Sequence, residues 1–123
     1  MTKTQLEGQE LALECARQAA EMQAEEIRIL DVTGLSTVAD FFVICSGSSS
    51  PHLRAIRREV ADRVKEEHGL AALHKEGSPE SQWMVIDYVD VMVHIFREEA
   101  REYYALEDLW SDARPVPFEA PQP

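Results

Sequence analysis

The sequence predicts an α+β domain, a mixed β-sheet of about five strands with helices packed on it. Three observations predict it. The run Phe41–Cys45, FFVIC, is apolar on both faces and too short for a helix, which fits a central, doubly covered strand. Leu53, Ile56, Val60 and Val64 then recur at helical spacing, so a crossover can lay a parallel neighbour beside that strand. Finally, WMVIDYVDVMVHIF, Trp83–Phe96, divides at Asp87–Asp90 into two apolar runs, and a connection that short makes them antiparallel.

In chain order the elements read α-β-β-α-β-β-β-α. Residues 5–25 form a helix: Leu6, Leu11, Leu13, Cys15, Ala16, Ala19, Ala20 and Met22 cover a broad face, opposite Glu7, Glu10, Glu14, Arg17 and Glu21. Residues 27–32, IRILDV, are a strand that Thr33-Gly34 ends. After FFVIC the turn SGSSSP opens the second helix, with Ser50 as N-cap and Pro51 as the first helical residue. Gly69 stops that helix. Leu70–Leu73 makes a short strand, and HKEGSPES, residues 74–81, is a loop by composition. Residues 82–87 and 91–96 supply the hairpin, whose turn should avoid left-handed geometry at Val89, because a β-branched residue resists positive φ. Arg97–Tyr104 is a short charged helix, and Ala105–Trp110 leads out of it. Residues 1–113 are therefore a single domain, and the proline-rich 114–123 an extended or loose tail.

At 123 residues one core can form without staples. Twelve basic against twenty-three acidic residues leave a net charge of −11, which repels nucleic acid unless a local basic patch overrides it. Basic partners are favoured instead, ribosomal proteins and polycations among them. Five of the bases, Arg54, Arg57, Arg58, Arg63 and Lys65, fall in residues 54–65, the pattern of a solvated helix face. Cys15 and Cys45 have neither metal-ligand nor disulfide-framework spacing and read as reduced, buried thiols. The polar, acidic N-terminus is no signal peptide, and no apolar run approaches the ~20 residues of a membrane span. The expectation is a cytoplasmic protein.

Two segments could carry phosphoryl chemistry. SGSSSPHL, residues 46–53, resembles the phosphate cradle of polymerase-β-type nucleotidyltransferases, a Gly-Ser before a helix N-terminus. That chemistry also needs an Asp-x-Asp on the next strand to hold magnesium, and this chain has none there. Asp87 and Asp90, three apart across a turn, suit turn positions better than an acid–base pair. No catalytic residue, metal or cofactor is assigned. His94 is a core histidine by its surroundings, with no ligand at metal spacing. Trp83, opening a strand after a polar loop, is the better interface anchor.

Taken together, LDVTGLSTVADFFVICSGSSSPHLRAI, WMVIDYVDVMVHIF and YYALEDLWSDA resemble the ribosomal silencing factor family, also called Iojap, over about residues 5–113. Many of its members have glycine where this chain has Val89. The resemblance implies a nucleotidyltransferase-like fold without the catalytic carboxylates and a homodimer when free. It implies binding to the large ribosomal subunit through large-subunit protein fourteen, which blocks subunit joining and represses translation, chiefly under nutrient limitation. The mechanism implied is steric. Trp83, Met84, Tyr88 and Asp90 would form an apolar-aromatic patch with an acidic rim, bordered by Tyr104, Leu106, Glu107 and Trp110. The alternative is a phosphotransfer enzyme using Ser46–Ser48 and Asp87/Asp90. A dimeric scaffold for another partner is the third reading.

Overall fold

The computed structural model describes residues 7–78 and 80–119. Leu6, Pro79 and the last four residues of the tail, which the sequence places in a helix, a loop and an extended end, lie outside the described residues. The elements are α1 (Gly8–Glu21), β1 (Glu25–Asp31), β2 (Phe41–Gly47), α2 (Ser50–His68), β3 (His74–Ser78), β4 (Trp83–Asp87), β5 (Val91–Arg97), α3 (Glu98–Tyr104), α4 (Leu106–Leu109) and β6 (Arg114–Val116). None of these helices is long and apolar enough to cross a membrane.

The sheet order is β3-β4-β5-β2-β1-β6. FFVIC lies at the centre, buried along its whole length, as its two-sided apolarity requires. It pairs parallel with β5, from Phe41 opposite Val91 to Gly47 opposite Arg97, and antiparallel with β1. The hairpin β4–β5 is antiparallel.

Two apolar layers cover the two faces. On one, Leu11, Cys15 and Ala16 of α1 and Leu53, Ile56 and Val60 of α2 meet Val43, Cys45, Met84, Ile86, Val93 and Ile95 from the sheet. On the other, Phe42, Ile44 and Phe96 meet Ala100 of α3 and Ala113, with Trp83, Leu106 and Trp110 partly buried against them. Both cysteines are free and buried, and burial pushes the Cys45 thiol up to about 12.

Five details differ from the sequence reading, the first being that Leu106–Leu109 is a short helix, α4, where the sequence shows only a lead-out. The sheet has six strands, because Arg114–Val116 pairs with β1 and buries Val116. The strand after α2 is His74–Ser78, not Leu70–Leu73. Gly69 ends α2 in left-handed geometry, and Leu70 and Ala72 then pack on the core without joining the ladder. The polar HKEGS is an edge strand held by backbone pairing to β4, which needs no buried face. Gly77 within it, at φ +83°, has the Trp83 carbonyl where any Cβ would sit. At the head of α2 the N-cap is Ser49, whose hydroxyl accepts the His52 N–H, so the cap is one residue earlier than expected. Lastly, Val89 does adopt positive φ, +82°.

Candidate functional site

The hairpin decides which predicted residues meet. Successive strand residues face opposite sides of a sheet. Trp83 and Met84 therefore cannot share a patch. Met84, 0% exposed, lies under the helices α1 and α2, and so does Tyr88 at 5%, whose burial raises its phenol. Neither can touch a partner, which corrects the expected patch. Asp90 is not a free acidic rim either. Its carboxylate accepts the Gly8 N–H at 2.6 Å, at the start of α1, where negative charge complements the helix dipole. Its carbonyl accepts N–H bonds from Asp40 and Phe41. Asp87 closes the turn by accepting the Val89 N–H at 2.8 Å.

Trp83 lies on the other face, in an aromatic seam. Its indole packs on Phe96 (centroids 5.0 Å apart) and Tyr104 (4.7 Å), and its N–H donates to His94 Nδ1 at 3.1 Å. Phe42 stands edge-on to His94 at 4.9 Å and to Trp110 at 5.5 Å, carrying the seam across β2 to the C-terminal segment. Burial drives the His94 pKa down to about 4. The ring is neutral, with its proton on Nε2, because Nδ1 accepts from Trp83. Beside the seam, α3 and α4 bring Tyr103 (82% exposed), Tyr104 and Leu109 (73%) to the surface. Tyr103 and Leu109 were not among the predicted site residues. Helices this short have too few turns for a periodicity that would reveal their outer face.

Glu107 ties α4 down. Its two carboxylate oxygens accept from Arg101 Nε and Nη2 at 3.0 and 2.9 Å, and Arg101 Nη1 donates to Ser46 Oγ at 2.9 Å. The Arg101 bonds hold the Glu107 carboxyl below its ordinary value. Around this pair opens a cleft of about 320 Å³ whose walls include Glu25, Glu26, Glu98, Glu102 and Asp108. It is strongly acidic, and it lies where a phosphate cradle would have to be.

That geometry bears on phosphoryl chemistry. Ser46 Oγ is engaged by Arg101, and the Ser48 N–H donates to His52 Nδ1 at 2.9 Å. Asp90 adjoins the start of β2 at Phe41, whereas Ser46 is five residues further along it, about 16 Å at strand rise. Serines and aspartates do not form one site. Among the described residues Glu14, Glu67 and His68 are the potential metal ligands that converge. Arg17 and Gln18 already donate to the Glu14 oxygens, which makes this trio a polar knot between α1 and α2.

A family model described as "Ribosomal silencing factor during starvation" matches residues 5–123. The chain belongs to the ribosomal silencing factor family. It is similar to the Bacillus subtilis ribosomal silencing factor, 45% identical over 91 residues, covering 74% of this chain and 76% of that one. The Halalkalibacterium halodurans factor is 38% identical over 114 residues, 93% of this chain and 97% of that one. A crystal structure of a Bacillus halodurans protein superposes with a TM-score of 0.76 at 35% identity, covering 90% of this chain and all (100%) of that chain. A Chromobacterium violaceum protein shares the fold alone, with a TM-score of 0.81 at 24% identity over 96% of this chain and 91% of the other. The motifs that suggested a silencing factor thus hold two kinds of residue. Trp83, Tyr104, Leu106 and Trp110 build the seam and its border, while Met84, Tyr88, Asp90 and Glu107 hold the elements in place.

Proposed function

We propose that this silencing factor represses translation by occupying the large ribosomal subunit at large-subunit protein fourteen and sterically excluding the small subunit, chiefly under nutrient limitation. It would work in the cytoplasm, as a homodimer when free of the ribosome. Family membership supports the ribosomal role, and large-subunit protein fourteen is what the motif resemblance implies. The observation carrying the reading is the surface where exposed Tyr103, Tyr104 and Leu109 stand beside the acidic cleft of Glu98, Glu102 and Asp108. Aromatic anchors supply affinity in such an interface, and an acidic border complements a basic ribosomal protein and steers encounter. No bond need be made or broken.

The test is co-sedimentation with isolated large subunits, followed by light scattering of mixed subunits. Tyr103→Ser with Leu109→Ser removes two exposed side chains and leaves the fold intact. The double variant should bind about thirtyfold more weakly, the equivalent of about 2 kcal/mol, and should lose the block on joining. A folded double variant that blocks joining as well as the parent would move the binding site elsewhere.

A further inference from the structure

Away from the aromatic seam, on the helical side of the β3 edge, the chain gathers positive charge. Arg54, Arg57 and Arg58 of α2 and Lys75 of β3 line one groove of about 360 Å³. None of the four forms an ion pair among the described residues, whereas Arg17, Arg63, Arg97, Arg101 and Arg114 each do. In a chain of net charge −11, four cations lining one groove repel one another, and an incoming anion would relieve that repulsion.

The groove is also fixed in shape. Arg57 Nη1 donates to the Glu76 and Gly77 carbonyls at 3.1 and 3.4 Å, clamping α2 to β3. Gly77 supplies a floor with no side chain, and strand alternation turns Glu76 away from Lys75. Arg54 and Arg58 are four residues apart on one helix face, one turn or ~5.4 Å along the axis. Guanidinium groups in such a row suit phosphate groups repeating along a backbone better than one isolated anion.

We propose that the Arg54–Lys75 groove takes the phosphodiester backbone of RNA, as a second contact of this silencing factor on the large subunit. The inference rests on the proposed large-subunit binding, and its chemistry is independent of base sequence. The groove belongs to a different face from the acidic cleft, so one face would meet basic protein and the other RNA.

Arg54→Gln, Arg58→Gln and Lys75→Gln combined remove three exposed charges and spare the Arg57 clamp. Binding to purified large subunits is measured against potassium chloride, with Lys75→Cys carrying a photo-crosslinker to identify the neighbour. Each lost phosphate contact flattens the log–log salt dependence by ~0.9. Between 50 and 200 mM salt, wild-type affinity should therefore fall about fortyfold more than that of the triple variant. The crosslinks should be to RNA. Equal salt slopes and affinities would overturn the proposal. So would crosslinks to a ribosomal protein or to a second copy of the chain, the other occupants an acidic segment could provide. If wild type does not bind large subunits, the functional reading fails by itself. A fluorescent RNA duplex at low salt then decides the groove: binding lost in the triple variant supports it, and no binding, or equal binding by both, overturns it.

Discussion

Val89 carries the clearest local conflict in the chain. Its φ of +82° puts a β-branched side chain where L-residues are penalised by roughly 1–2 kcal/mol, and it is 61% exposed, so no packing compensates. Glycine there avoids the clash but is more costly to order by about 0.5–1 kcal/mol. Val89→Gly should raise Tm by roughly 2–4 °C, readable by circular dichroism, and an unchanged or lower Tm would contradict the strain. His94 gives a pH signature. Its pKa falls from 6.5 to about 4 on folding, so between those values the unfolded chain binds a proton that the native one refuses. Stability therefore falls as pH drops from 6.5 towards 4. Burial would raise the Glu14 carboxyl, but bonds from Gln18 and Arg17 outweigh it, and Glu107 is lowered by Arg101. These carboxylates add losses of the same sign only below about 4.5. From pH 7.5 to 5, urea unfolding should show a loss of about 2 kcal/mol in wild type and little in His94→Gln. Equal losses in both would assign the pH dependence elsewhere. Site legibility failed at this scale for a plain reason. The hairpin motif holds Trp83 and Met84 together in sequence, but a strand sends neighbours to opposite faces.

At the scale of elements, what was legible was whatever buries apolar surface with a period. The helix α2, the central β2 and the hairpin strands all announce themselves this way, and each is where the pattern put it. The edges are illegible because their stability is not written in side chains. His74–Ser78 is polar and almost wholly exposed, and it exists through its ladder with β4. Arg114–Val116 looks like a loose tail because of its prolines, yet an edge strand tolerates Pro115, whose missing N–H leaves no ladder partner wanting. Val116 is buried, and Arg114 meets Asp31 at 2.8 Å. Ending the chain at Ala113 should therefore cost about 2–3 kcal/mol, mostly the burial of Val116 and the lost backbone bonds. It should also promote self-association, because it bares the edge of β1. Urea unfolding and analytical ultracentrifugation would check both. An unchanged, monodisperse protein would make residues 114–123 the dispensable tail their composition suggests.

For the molecule as a whole, charge and size bear on the proposed mechanism. Acidic residues gather at the cleft beside the aromatic seam, and bases gather at the β3 groove, so a net charge of −11 hides two surfaces of opposite sign. The sequence displays the basic run, but only the fold shows that it and the acidic cleft lie on different faces of the sheet, the groove on the α2 side and the cleft beside α3. A globule of 123 residues has a radius of gyration of about 14 Å, hence a diameter of about 35 Å. Contacts between subunits act over a few ångströms, so one such body seated in the joining face suffices to hold the subunits apart. The proposed steric blocking would have a kinetic consequence. One factor should silence one large subunit, and the concentration needed for half-inhibition should rise in proportion to added small subunit, because the two compete. Subunits should regain full joining once the factor is washed away with salt, which weakens its charged contacts. An enzyme acting on the ribosome would instead work below stoichiometric amounts and leave the subunits impaired after its removal. Titrating factor against light scattering at several small-subunit concentrations, then repeating the measurement on washed subunits, separates the two. Lasting silencing by a tenth of an equivalent would reject the steric mechanism and return attention to Ser46 and its acidic cleft.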